Sequence, residues 1–319
     1  MHGIRVPYLA AASALIGDRP ACSMGRQAQA AGLRRSAQET QPMPPTEPLR
    51  TAPMARRCRS DERLLWITPE RVFYVGLLGA PTVRTMGAIT VYAALEGALR
   101  LRIAGGPWQS AELALVPPYA AHEVACEARH IMVLQVEPET VDPAGLPALL
   151  RAPAGALQAP DFAAHLRHCH ARLVGAGRAQ DPAPNLAPAA FDTLLFGRPL
   201  PPRRLDPRIA GALARLGRDP AAPLPAQEHA ARAGLSFSRF LHLFKAQTGA
   251  PWRSLRSWKR ARSLLHHVQR ETNLAHLALE VGYPDSTHFS HSIRQVYGLK
   301  PRDIFAGSRK LRLIERAPA

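Results

Sequence analysis

Along this 319-residue chain the spacing of apolar positions changes character three times. Residues 1 to about 57 show no period. They are rich in Ala, Arg, Gln and Pro, include "QPMPPTEP", and predict a segment without a packed core. From about Asp61 to Glu139 the pattern is strand-like. "RVFYVGLL" and "ALRLRI" are β-rich, Leu99-Arg100-Leu101-Arg102-Ile103 alternates, and "GAPT", "AGGP" and "VPPYAAH" mark turns. "LALVPPYAAHEVACEA" reads as a strand, a Pro-containing corner and a second strand beginning at His122. From about Pro143 to Gly197 the period becomes helical. Phe162, Leu166, Leu173 and Val174 form one stripe, and "FDTLLFGRPL" reads as a further helix ending at Gly197. Beyond Arg203 every segment is helical and punctuated by caps and turns.

Charge sharpens this division. The chain carries +17 overall, with a pI of about 11.0. From Arg203 onward there are 21 Lys/Arg against 8 Asp/Glu, whereas Cys58–Pro202 holds 12 against 13. A neutral β-rich domain is therefore joined to a basic helical one, and the basic one needs an anionic partner. Four cysteines (Cys22, Cys58, Cys126, Cys169) are far apart and form no CxxC pair, which fits free thiols in a reducing cytoplasm. No apolar run approaches the roughly 20 residues of a membrane span. "VPYLAAASALIG" (Val6–Gly17) resembles a short signal core, and "RPAC" ending at Cys22 a lipoprotein cleavage site, but Asp18 and Arg19 interrupt it. The expectation for 1–57 is a disordered extension or a stretch upstream of a true start at Met43 or Met54.

The β-rich part, 58–142, resembles the cupin-like sensor domains of bacterial regulators, in which a Pro-rich corner often precedes a His. The short strands and turns at this spacing suggest a small β-barrel or jelly roll. Metal-binding cupins offer a second His one residue after the first. Here Glu123 follows His122 and Val124 occupies that place, with His130 the only other His nearby, so neither metal nor cofactor is expected. A small-molecule effector is the expected occupant of the barrel, with Trp66, Tyr74, Tyr92, Trp108, Tyr119 and His122 as candidate lining residues. In 143–202, expected to be a helical dimerisation or linker region, His165, His168, Cys169 and His170 cluster. His165 and Cys169 lie one turn apart, as a soft-metal pair or as an exposed helix face would.

The basic part contains one pattern twice. In "PAQEHAARAGLSFSRFLHLFKAQTGAPW" small residues (Ala230, Ala231, Ala233) lead to Gly234. Ser236 then caps a helix whose Phe240, Leu243 and Phe244 face a core. "GYPDSTHFSHSIRQVYGLKP" (Gly282–Pro301) repeats it with Asp285 as cap. Phe240 aligns with Phe289, His242 with His291, Phe244 with Ile293, Lys245 with Arg294, and Gly249 with Gly298. "PWRSLRSWKRARSLLHHV" (Pro251–Val268) connects the units as a long basic helix, with Leu255, Trp258, Ala261, Leu264 and Leu265 inward. An earlier helix follows Asp206. Two helix-turn-helix units on one connecting helix place two reading helices in successive major grooves.

These motifs, with "KRARSLL" and "ALEVGYPDSTHFSHSIRQVYGLKPRDI", resemble the DNA-binding domain of the AraC/XylS family of bacterial transcription regulators over about Asp206 to Lys310. That family often has Arg where His242 and His291 stand, and usually Phe in place of Ile293. The resemblance implies a cytoplasmic regulator, usually dimeric, whose N-terminal domain senses a ligand or partner. The expected architecture is therefore an α+β two-domain chain: a cupin-like β-barrel with flanking helices, then an all-α double helix-turn-helix domain at 203–312. Positions pointing away from each core aromatic become the base-reading set: Ser238, Arg239, Leu241 and His242, and Ser286, Thr287, Ser290 and His291. Lys245, Arg256, Lys259, Arg260, Arg294, Lys300 and Arg302 are candidate phosphate contacts. The expected partners are double-stranded DNA, a second copy of the chain, an effector, and RNA polymerase if the protein activates. A cupin-type or thiol-based enzyme fused to a DNA-targeting domain is the competing reading. The missing second His and the unpaired cysteines argue against it.

Overall fold

A computed structural model describes residues 62–175 and 187–315. The expectations for 1–57, and for Cys22 and Cys58, lie outside the described residues. The N-terminal domain is built from β1 (Leu64–Ile67), β2 (Arg71–Leu77), β3 (Ile89–Ala94), β4 (Leu99–Ile103), β5 (Gln109–Ala111), β6 (Leu113–Val116), β7 (His122–Cys126), β8 (His130–Val136) and β9 (Gly155–Leu157). A further strand, β10 (Arg312–Glu315), comes from the far end of the chain and pairs parallel to β1. The larger sheet runs β10-β1-β2-β8-β3-β6-β9, and the smaller β5-β4-β7.

Side-chain alternation explains what covers the large sheet. On one face Trp66, Phe73, Val91, Leu115 and Leu134 share a core with Leu166 of α1 (Pro160–Gly175) and Phe191 and Leu195 of α2 (Pro188–Phe196). The opposite face is divided. Tyr92, Ala114, Val116 and Ile131 pack on Leu99, Leu101 and Val124 of the small sheet. At the other end Leu65, Ile67 and Val72 pack on Val268 and Leu311 from the C-terminal domain. The strands anticipated around Arg71–Leu77, Leu99–Ile103 and the Pro117-Pro118 corner are present.

The expected closed barrel is not. Two separate sheets form, because the apolar end of β1 and β2 is buried by the C-terminal domain and does not need to curl onto the small sheet. Region 143–202 supplies β9 as well as α1 and α2, and Leu166 and Leu173 face this chain's own sheet.

The C-terminal domain comprises α3 (Pro207–Arg218), α4 (Ala226–Arg232), α5 (Phe237–Thr248), α6 (Trp252–Ser263), α7 (Leu274–Glu280), α8 (Ser286–Tyr297) and α9 (Pro301–Ser308). α6 continues as one 3-10 turn, Leu264–His267. Among the described residues no helix is long and apolar enough to cross a membrane.

Candidate nucleic-acid interface

The two helix-turn-helix units are built alike. α4 turns into α5 at Gly234 (φ 62°), and α7 into α8 at Gly282 (φ 84°), left-handed values that glycine adopts with least strain. Ser236 Oγ accepts from the Arg239 N–H at 3.3 Å. Asp285 Oδ1 accepts from the N–H groups of Thr287 and His288, both at 2.8 Å, so the second cap is the stronger. Gly249 (φ 81°) and Gly298 (φ 72°) end the two helices, their N–H groups bonding back to the carbonyls of Lys245 and Arg294.

Each core holds the second helix of its unit from behind. Phe240 and Phe244 are fully buried against the Trp252 ring, with centroids 5.6 and 5.0 Å away. Phe289 and Ile293 are fully buried with Trp258 and Tyr283. α6 contributes Trp252 and Leu255 to the first core and Trp258, Ala261 and, through its 3-10 extension, Leu264 to the second, so one helix fixes both units.

Opposite these cores lies the polar face. Ser238, Arg239 and His242 are exposed on α5, and Ser286, Thr287 and His291 on α8; Leu241 and Ser290 are half-buried. Six of the eight candidate base readers are thus exposed on two equivalent helices, while Ser290 is half-buried and Leu241 packs against the first core. Lys245, Arg294, Lys300 and Arg302 are exposed beside them. Arg302 lies 3.6 Å from Asp303.

Three phosphate candidates are placed elsewhere. Arg256 donates to the Ala222 carbonyl and Arg260 to that of Pro220, at 2.7 and 2.9 Å, tying α6 to the loop before α4. Lys259 is buried between Glu137 and Glu139 of the N-terminal domain, at 2.7 and 2.5 Å. Glu137 also accepts from Trp258 Nε1 at 3.0 Å and pairs with Arg262 Nε at 2.9 Å. Burial works to raise the Glu137 carboxyl, but Lys259 and Arg262 outweigh it and hold it below its ordinary range. Burial raises Glu139, which Lys259 only partly offsets, and the two carboxylates keep Lys259 raised against its own desolvation. Arg262 reaches the carbonyls of Thr68 and Arg71 as well. This cluster is an ionic latch between the domains. Sequence reasoning missed it because the partners are 120 or more residues apart and a lysine on a basic helix carries no mark of the carboxylates it meets.

The candidate effector residues scatter. Tyr74 and Tyr92 line a cavity of about 280 Å³ between the domains. Trp66 is core, 4.6 Å from the Phe191 ring. Trp108 lies on the surface under Arg100 and Arg102. Tyr119, in a left-handed backbone conformation (φ 63°), packs against both helix-turn-helix cores. His122 is buried, with Nδ1 bonded to the Ala120 carbonyl and Nε2 2.8 Å from the Tyr92 hydroxyl. Three members of the His-Cys cluster on α1 are also spent locally, while His168 is exposed. His165 and Cys169 (3.4 Å apart) both bond the Leu194 carbonyl, and His170 the Glu62 carbonyl. No group of three or more His, Cys, Asp or Glu among the described residues is arranged to hold a metal.

Residues 229–307 match a family model described as a helix-turn-helix domain. A 72-residue stretch is 36% identical to the invasion protein InvF of Salmonella typhi, covering 22% of this chain and 33% of InvF. InvF of Salmonella typhimurium matches equally, so the chain spans about a third of the length of these curated relatives. Among solved structures, apo ToxT K231A from Vibrio cholerae aligns over 75% of this chain and 97% of its own, at 9% identity and a TM-score of 0.47. An AraC-type transcriptional regulator from Chromobacterium violaceum aligns over 32% and 92%, at 22% identity and a TM-score of 0.30. The matched residues span both helix-turn-helix units and their connecting helix, so the C-terminal domain is similar to the helix-turn-helix domain that the family model describes.

Proposed function

We propose that the protein is a sequence-specific, double-stranded-DNA-binding transcription regulator whose occupancy of DNA is set by a small-molecule effector held by the N-terminal domain. The observation that carries this is the matched pair of exposed Ser/Thr/His-bearing faces on α5 and α8, each clamped from behind by an aromatic core on the shared helix α6. Ser238, Arg239, Leu241 and His242 read one block of base pairs, and Ser286, Thr287, Ser290 and His291 the other. Lys245, Arg294, Lys300 and Arg302 hold the flanking phosphates, which set affinity and register. A homodimer, acting in the cytoplasm on paired sites and contacting RNA polymerase if it activates, completes the reading.

The test is selection of bound duplexes from a random pool by the full chain. The expected product has two conserved blocks about one helical turn apart. Replacing His291 by Ala is expected to cost about 1–3 kcal/mol at one base pair of one block only. A pool that remains random after selection contradicts the reading and leaves charge alone as the cause of binding.

A further inference from the structure

One polar pair on the proposed DNA face lies outside the eight base-reading positions. His288 stands immediately before Phe289, the place that Arg239 takes before Phe240 in the first unit. Its side chain is 71% exposed, and Nδ1 lies 2.7 Å from Oδ2 of Asp285, whose Oδ1 caps α8. Bonds from the His288 N–H, the His288 ring and the Thr287 N–H hold the Asp285 carboxyl below its ordinary range, so it keeps its charge. This contact fixes the tautomer. A carboxylate only accepts, so Nδ1 carries a hydrogen, and in the neutral ring Nε2 is left as an acceptor. Phosphate oxygens are acceptors too, so a neutral His288 has nothing to give the DNA backbone. The protonated ring presents Nε2–H and a positive charge, keeps its bond to Asp285, and cancels the carboxylate's charge.

We propose that His288 is a further DNA contact of the second unit, made to a phosphate oxygen by the protonated ring alone, so that binding DNA takes up a proton and tightens as pH falls. This rests on the regulator reading and deepens it. The first unit has in this place a guanidinium, charged at every pH; the second has a group that gains its charge between about pH 8 and about pH 5.

Helical period sets His288 on the flank of the outward face, whereas Thr287 and His291 stand opposite Phe289. The flank of a helix in the major groove meets the groove wall, where the phosphates are. Among the described residues Asp285 is the one group to which the His288 ring is hydrogen-bonded or ion-paired. Along α8, His291 and Arg294 follow on the same side at successive three-residue steps. On the elements packed against α8, Lys259 and Arg262 of α6 pair with Glu137, Glu280 of α7 lies by His267 and Arg270, and Asp303 of α9 lies by Arg302. The buried His122 and His229 stay neutral down to about 4, so they add no charge in the range where an exposed imidazole titrates.

The experiment measures affinity of the full chain for its selected duplex and for a scrambled one, at about pH 7.5 and about pH 5.5, each across a salt series, for the original chain, His288→Gln and His288→Arg. Gln keeps a donor for Asp285 and never charges; Arg is charged at both pH values. The original chain is expected to bind about tenfold more tightly at the lower pH, with a log–log salt slope steeper by about 0.9, one more phosphate met. His288→Gln is expected to keep the affinity seen at the higher pH and to lose most of the gain. His288→Arg is expected to bind at the higher pH about as the original does at the lower. The proposal is overturned if the original binds alike at both pH values, or if His288→Gln keeps the gain, since the proton would then sit on another residue. It is overturned too if His288→Gln weakens binding equally at both, which would mean that the ring only shapes α8, or if the gain falls on a single base pair with no change in salt slope. Each of these results leaves specific binding intact and strikes this inference alone. Equal affinity for selected and scrambled duplexes at both pH values strikes the regulator reading, and this inference with it.

Discussion

His122 lies 1% exposed, and its Nδ1–H donates to the Ala120 carbonyl while Nε2 accepts from the Tyr92 hydroxyl. Protonation would break the second bond and bury a charge beside Arg84, so burial first and Arg84 second push it from the ordinary 6.5 to about 4. His229, 3% exposed against Trp252, is pushed to about 4 by burial and by Arg215, Arg256 and Arg232. The unfolded chain takes up protons at these residues from pH 6.5 downward, and the folded chain refuses them until about 4. Stability is therefore lost as pH falls through that window, by at most about 3 kcal/mol per residue. Glu139, raised in the folded state, offsets part of the loss. Urea midpoints should drop between pH 7 and pH 5, and the drop should shrink in His122→Gln; equal midpoints at both pH values would refute this. The exposed positions of the proposed reading faces were legible in the sequence because helical period assigns which positions point away from Phe240 and Phe289; Leu241, which packs against the first core, was not. The destinations of Lys259, Arg256 and Arg260 were not, since a long basic side chain serves a phosphate, a carbonyl or a buried carboxylate with the same local sequence.

At the scale of elements, the two turns look equivalent in sequence and differ in their surroundings. A Cβ on Gly234 would meet nothing within 4 Å, whereas one on Gly282 would lie 2.7 Å from Ala221 Cα and 2.9 Å from its carbonyl oxygen. Gly234→Ala should cost only the left-handed backbone strain, about 1–2 kcal/mol. Gly282→Ala should cost clearly more, because the obstruction is backbone that cannot rotate away. Chemical denaturation of both variants decides this, and equal losses would mean that the loop before α4 yields freely. Helices, caps and the β2, β4, β6 and β7 strands were readable because each is set by local period and turn chemistry. The closed barrel was misread for the opposite reason: whether a sheet curls onto itself depends on what covers its second face. Here Val268 and Leu311, from distant sequence, cover part of that face.

For the whole molecule, the contacts between domains matter most. Glu137, Trp258, Lys259 and Arg262 form the latch, β10 extends the large sheet from the far end of the chain, and Tyr119 seats both helix-turn-helix cores. Removing one partner of the latch leaves a buried charge alone, so Lys259→Met should destabilise the full chain by about 3–5 kcal/mol. Lys259→Met combined with Glu137→Gln and Glu139→Gln should recover much of that loss, and a triple variant no better than the single one would show that the latch charges do not interact. The central claim is that two reading helices, fixed by one connecting helix, read two blocks of DNA in a set phase. The most direct measurement is the affinity of the full chain, at about 0.15 M salt, for its selected site and for the same site with about 5 base pairs inserted between the blocks, half a helical turn. The account predicts at least a tenfold loss on insertion, because one unit is turned away from its bases; equal affinity for the two duplexes would contradict it.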